Sequence, residues 1–285
     1  MKDVSFILTG RDDGYTGDFI DRFQIALSKN LEILSRHDLS YEIIIVDYNP
    51  IGDKRLINNP KLEQLLKNDN VFNIIIDRSV VIDDGLSENG FYEYFGKNAA
   101  AIKSNGKLLF MTNADIIISN EIVQFLKDIP EFDYDKHFYR LRYRQDLKGG
   151  QLLGTPLDLH TPNDADEEIC GGYSGDATIF SRKVFNEIST GYNEIDENHR
   201  TPSGQASMDG EILWNLVKKG VSKILVDLTY YHVTHLRQPK DGGYSREEYT
   251  NRENWGYQNY PIRVINDNTI EIYENTGIGK RRTDR

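Results

Sequence analysis

The chain has 285 residues and a mass of 32.8 kDa, enough to bury a large core and close to the size at which single cores divide. Its 34 Lys and Arg against 45 Asp and Glu give a net charge of −11 and an isoelectric point near 5.1, a field that repels polyanions and speaks against nucleic acid as a partner. One cysteine, Cys170, excludes an internal disulfide, and six histidines without any CxxC pairing exclude a zinc ribbon or finger.

Residues 1–120 alternate short, nearly continuous apolar runs with segments of helical period, the sequence form of a parallel sheet covered by helices. Strands are predicted over 4–9, 42–47, 72–77 and 107–113. Phe19, Ile20, Phe23, Leu27, Leu31 and Leu34 mark an amphipathic helix between the first two, and Phe91, Tyr94, Phe95, Asn98, Ala99 and Ile102 mark another between the last two. Crossovers of this length suit right-handed βαβ connections, so a ligand is expected beyond the C-terminal ends of the strands. Those ends carry Thr9, Gly10, Arg11, Asp12 and Asp13, then Asp47, then Asp77 and Arg78, then Asn113, Ala114 and Asp115. Asp and Asn also favour turns and helix caps, so each acidic end taken singly has a structural explanation. Four in register argue for more.

After Pro130 the rhythm changes to tyrosine- and glycine-rich stretches, with one convincing helix over 210–219, a strand over 223–232 and a hairpin within 262–273 around Asn266, Asp267 and Asn268. The polar stretch 236–259 reads as a flap, and 279–285, with Lys280, Arg281 and Arg282, as a solvated basic terminus that could at most touch an anionic membrane. No apolar window approaches the roughly 18 residues of a membrane span, and the first residues lack the long apolar region of a signal peptide. The expectation is a cytoplasmic chain, at most peripheral at a membrane, with no transmembrane segment.

Three segments carry chemistry. The first, 97–115, puts Lys97 and Asn98 on a helix, a turn at Gly106, a buried strand, and then Asp115 two residues after the amide of Asn113. A carboxylate so placed suits a hard divalent cation, Mn²⁺ or Mg²⁺, whose shell is completed by phosphate oxygens. The second is Met208-Asp209-Gly210-Glu211 at the start of a helix, where Asp209 serves either as a cap or as a functional carboxylate. The third is Tyr231-His232-Val233-Thr234-His235, an apolar strand ending in two histidines, one of which could ligate a metal.

The stretch from Lys97 to Asp115 resembles the Lys-Asn…Ala…Gly…Phe…Asp-x-Asp region of family 2 type glycosyltransferases, which have the nucleotide-diphospho-sugar-binding fold called GT-A. Glu42 to Asp47 is similar to that family's second strand, Gly172 to Tyr192 with Gly175, Asp176, Phe180, Arg182 and Phe185 to its acceptor-side segment, and Met208-Asp209-Gly210-Glu211-Ile212 to its Glu-Asp-x-Asp/Glu-Leu motif. The resemblance spans 4–235. It departs at Asn113, where the family has Asp, at Met208, where it has Glu, and at Asp47-Tyr48-Asn49-Pro50, where it has Asp-Asp-Gly-Ser. It implies an α/β fold, a mostly parallel sheet sandwiched by helices, in a domain over 1–235 with a donor half (1–120) and an acceptor half (121–235), followed by the flap and hairpin of 236–285. It also implies a UDP- or GDP-sugar donor and a glycan, lipid-linked or protein acceptor. Thr9, Gly10, Arg11, Asp47, Arg78, Lys97, Asn98, Asn113 and Ala114 would face the donor, with Asp47 near the base. Asp115, with His232 or His235, would hold the metal, Asp209 would be the general base, and Gly172, Asp176 and Glu211 would lie on the acceptor side. A nucleotidyltransferase and a non-catalytic nucleotide- or sugar-binding protein on a related sheet are the alternatives. The short acidic segment Thr9-Gly10-Arg11-Asp12-Asp13-Gly14 speaks against the first of these, which needs a glycine-rich basic phosphate loop.

Overall fold

The computed structural model describes residues 1–14, 17–83, 90–159, 177–188, 208–235, 257 and 260–274, with only the backbone at 208–211 and 214. In chain order the elements are β1 (Lys2–Gly10), α1 (Phe19–Leu34), β2 (Tyr41–Tyr48), α2 (Glu63–Leu66), β3 (Val71–Ile76), α3 (Arg78–Asp83), α4 (Glu93–Lys103), β4 (Gly106–Met111), β5 (Ile116–Ile117) and α5 (Asn120–Asp128). They continue with β6 (His137–Lys148), β7 (Gln151–Asp158), β8 (Thr178–Ser181), α6 (Arg182–Glu187), α7 (Met208–Lys218), β9 (Ser222–Val233), β10 (Ile262–Asn266) and β11 (Thr269–Ile272).

The described strands form one sheet in the order β10-β11-β3-β2-β1-β4-β8-β6-β9-β5, with β7 beside β6. The run β11-β3-β2-β1-β4 is parallel throughout. Its apolar runs are continuous because both faces are covered. Side chains alternate along a strand, so Phe6 and Leu8 of β1 and Ile43 and Ile45 of β2 join Phe23, Leu27, Leu31 and Leu34 of α1 in one core. Ile7, Ile44, Val46 and Tyr48 join Phe95, Ala99, Ala100 and Ala101 of α4 in the other. This is the α/β sandwich of the GT-A type that the sequence led us to expect.

Beyond β4 the sheet is mixed: β8 runs antiparallel to β4 and β6, β9 parallel to β6, and β5 antiparallel to β9. The stretches after Pro130 that read only as tyrosine- and glycine-rich hold the strands β6, β7 and β8. The C-terminal hairpin, β10 with β11, extends the sheet through β11, which pairs with β3 in parallel, so the hairpin joins the sheet of residues 1–120. The predicted third strand stops one residue early. Asp77 instead accepts from the Ser79 N–H at 2.9 Å and the Ser79 hydroxyl at 2.7 Å, opening α3, so this acidic end is turn chemistry. Helix α7 begins at Met208, which puts Asp209 inside the first turn rather than at its cap.

Chain order gives the sheet a switch point. The chain builds β1, β2 and β3 outward in one direction and then returns to lay β4 on the other side of β1. In open parallel sheets the crevice at such a reversal, outside the C-terminal strand ends, is where ligands bind.

Candidate functional site

The end of β1 is held tightly. Helix α4 passes so close that a Cβ at Gly96 would lie 2.8 Å from the Thr9 methyl, and the Thr9 hydroxyl donates to the Glu93 carbonyl at 3.3 Å. Arg11 is buried. Its Nη1 donates to the Gly90 carbonyl at 2.8 Å, Nε and Nη2 donate to Asp13 Oδ2 at 3.2 and 3.0 Å, and the guanidinium lies 5.3 Å from the Phe91 ring centroid. The same Gly90 carbonyl accepts from Asn49 Nδ2 at 2.9 Å, and Asn49 has the left-handed φ of 52° that asparagine tolerates. The loops beyond β1 and β2 are thus tied at one carbonyl.

Asp47 stands opposite Gly10 in the β1–β2 ladder and is 2 % exposed. Its Oδ2 accepts from the Leu56 N–H at 2.7 Å, while Oδ1 is buried with no partner among the described residues. Burial raises its pKa to about 7, against the lowering effect of the Leu56 hydrogen bond and the Arg55 charge. Behind it the Tyr48 and Tyr257 hydroxyls are 2.5 Å apart in an aromatic group with Phe91, Tyr92 and Phe95.

On the other flank of β1, Lys97 reaches from α4 to the chain beyond β4. Only 2 % exposed, it donates to Asn113 Oδ1 at 2.9 Å and lies 2.7 Å from Glu93 Oε1. The amide oxygen that the sequence offered to a cation therefore serves a lysine. Asn98 and Ala114 are buried beside it, and Arg78, at the start of α3, is partly buried at the neighbouring strand end.

The sheet brings the predicted metal residues together. Ile116 of β5 pairs with His232 of β9, and the Val233 N–H donates to the Asp115 carbonyl at 2.9 Å, which lays the end of β9 against Asp115. Both histidines then face one carboxylate oxygen: His232 Nε2 and His235 Nε2 are each 3.6 Å from Asp115 Oδ2. One ligand atom from each of the three residues lies within 4.8 Å of the others. Metal bonds of about 2.0–2.2 Å put neighbouring ligand atoms about 3.0–3.5 Å apart, so a one-carboxylate, two-imidazole set fits a divalent ion with slight contraction. Burial pushes the Asp115 pKa up, but the neighbouring His232 and the His232, Arg22 and His235 charges outweigh it, and the carboxyl stays below its usual range. Burial opposes the charge on His232, and contacts with Asp115 and Asp146 overcome it, raising that pKa.

Two members of this group were not found from the sequence. Arg22 of α1 is 5 % exposed in its side chain and bonds Asp115 Oδ2 at 3.0 Å and Asp18 Oδ1 at 3.0 Å. The signal was a cation on the apolar stripe, in the same four-residue row as Ala26 and Asn30. Asp146 of β6 lies 3.0 Å from His232 Nδ1, a contact set by the β6–β9 register and invisible in local sequence. Of the remaining predicted residues, Asp209 and Glu211 lie on α7 with side chains outside the description, and Gly172 and Asp176 lie outside the described residues, as does the flap.

No protein-family model and no curated protein matches the sequence. Among solved structures the chain is similar to Staphylococcus aureus TarS 1-349 in complex with UDP-GlcNAc, with a TM-score of 0.53 and 12 % identity over 85 % of this chain and 62 % of that one. It is also similar to TarS 1-349 alone, with a TM-score of 0.49 and 10 % identity over 81 % of this chain and 60 % of that one. The likeness is one of fold, and this chain spans about three fifths of the TarS 1-349 chains it matches. No helix among the described residues is long and apolar enough to cross a membrane.

Proposed function

We propose that this chain is a metal-dependent glycosyltransferase that moves a sugar from a nucleoside diphosphate sugar, with uridine as the base, to a hydroxyl of a glycan, lipid-linked or protein acceptor. The observation that carries this reading is the meeting of Asp115, which follows β4, with His232 and His235 at the end of β9, in a fold like that of a structure holding UDP-GlcNAc. The mixed oxygen and nitrogen donor set favours Mn²⁺ over Mg²⁺, which prefers an all-oxygen shell. Bound there, the ion would stabilise the negative charge that develops on the leaving diphosphate.

The chain's own residues supply the rest. The Oδ1 of Asp47, buried with no partner among the described residues, is an acceptor for an N–H on the edge of the base. Lys97 holds Asn113 in place, and with it the turn that carries Asp115. Thr9, Gly10, Arg11, Arg78, Asn98 and Ala114 shape the donor side, with Arg11 acting through Gly90. Asp209 takes the proton from the acceptor hydroxyl as its oxygen attacks the anomeric carbon and the bond from that carbon to the diphosphate breaks. Gly172, Asp176 and Glu211 border the acceptor.

The test is release of nucleoside diphosphate from a panel of nucleotide sugars with Mn²⁺ and candidate acceptors. Asp209→Asn is expected to lower turnover by about 10²–10⁴-fold with donor affinity kept. Full turnover in that variant would remove Asp209 from the chemistry, and an inactive wild-type chain across the panel would oppose the transferase reading.

A further inference from the structure

We infer that Asp146 is the positioning residue that presents His232 to the metal, an inference that rests on the metal-dependent reading above. Asp146 stands directly across from His232 in the parallel β6–β9 ladder, and its Oδ1 lies 3.0 Å from His232 Nδ1. The opposite ring nitrogen, Nε2, faces Asp115 Oδ2 at 3.6 Å. The ring is thus spanned by two carboxylates, one at each nitrogen, and they cannot do the same work.

An ionised carboxylate only accepts hydrogen bonds, so the partner of Asp146 has to be a donor. A neutral imidazole carries one N–H. With that proton on Nδ1 and directed at Asp146, the lone pair is on Nε2, on the side of Asp115 and His235. The two 3.6 Å separations at Asp115 Oδ2 are then those of ligands around a common centre, whereas the 3.0 Å contact to Asp146 is that of a hydrogen bond. A carboxylate behind a ligating histidine fixes the tautomer, orients the ring and raises its basicity. Arg144, two residues earlier on β6, has its Nε 3.5 Å from the same Asp146 oxygen and steadies that carboxylate. Asp146 is therefore outside the ligand set yet determines which nitrogen enters it. The arrangement also ties β6 to β9 at the metal.

The test measures metal directly. Mn²⁺ is titrated into the wild-type chain, Asp146→Ala, Asp146→Asn and His232→Ala, with bound metal read from the loss of the free-ion electron paramagnetic resonance signal. In parallel the tautomer of His232 is read by ¹⁵N nuclear magnetic resonance on the metal-free protein, at a pH high enough for the ring to be neutral. Asp146→Ala is expected to weaken Mn²⁺ binding by about 10–100-fold and to release the tautomer from the Nδ1–H form. Asp146→Asn is nearly isosteric, keeps an accepting oxygen, and is expected to recover part of both. His232→Ala is expected to lose more affinity than either. Unchanged affinity and tautomer in Asp146→Ala, with wild-type binding intact, would overturn the positioning role alone. A wild-type chain that binds no Mn²⁺ at millimolar concentration, or binding that survives His232→Ala unchanged, would overturn the metal reading and this inference with it.

Discussion

Two aspartates near the C-terminal ends of the parallel strands that flank β1 meet opposite fates. Asp47, at the end of β2, has one backbone N–H, the charge of Arg55 and an oxygen with no partner among the described residues, and burial drives its pKa to about 7. Asp115, after β4, is also largely enclosed, with 16 % of its side chain exposed, yet it is held below the usual range because Arg22, His232 and His235 surround it. Burial alone does not decide the charge of a carboxylate; the neighbours do. Asp115 is held as an anion by its cationic neighbours, and Asp47 is held towards its neutral form by burial.

Asp115→Asn takes the anion out of the first site. With Mn²⁺ and donor present, turnover is expected to fall by about 10²–10³-fold or more, and the stabilisation of the fold by Mn²⁺ to vanish. Steady-state kinetics and melting curves check the two parts.

Asp47→Asn sharpens the contrast through pH. A carboxyl whose folded pKa is raised contributes stability that is complete below its unfolded value, near 3.8, and is lost as pH climbs through about 7. The lowered Asp115 works in the other sense, adding stability above its unfolded value that is lost in acid. From pH 4 to pH 8 the stability of Asp47→Asn relative to wild type is therefore expected to rise, by at most about 4 kcal/mol. Urea unfolding of both chains across that range measures it, and parallel curves would contradict the burial of Asp47.

Arg22→Met removes one cation from Asp115. The expected loss is about 1–3 kcal/mol in metal-free protein, and a smaller loss with Mn²⁺, because a bound ion replaces the missing charge. The smallest effect belongs to Asp12→Asn. The Asp12 charge raises the Asp47 pKa, so its removal is expected to shift the pH midpoint of the Asp47 effect downward and to change stability by less than about 0.5 kcal/mol.

How far this was legible in the sequence follows from the range of the interactions involved. The strands β1 to β4 announced themselves because burial on both faces writes unbroken apolar runs, and α1 and α4 because a helix on a sheet writes a stripe. β5 is two residues long and exists only because β9 lies beside it, so no local pattern could reveal it. Asp115, His232 and His235 were each visible as residue types at strand ends, and the sheet supplied their convergence. Arg22 was visible as a misplaced charge on an apolar stripe. Asp146 was not, since its partner is 86 residues away and the pairing depends on register. Asp77 shows the reverse error, an acidic strand end that only shapes a turn.

The central claim is that the Asp115 and Asp47 sites together bind a nucleoside diphosphate sugar with a metal. It is tested most directly by thermal melting against a panel of nucleoside diphosphates and nucleotide sugars, with and without Mn²⁺. The account predicts a rise in melting temperature with uridine nucleotides that requires Mn²⁺ and is lost in Asp115→Asn. No shift with any nucleotide at millimolar concentration, with or without the metal, would contradict it.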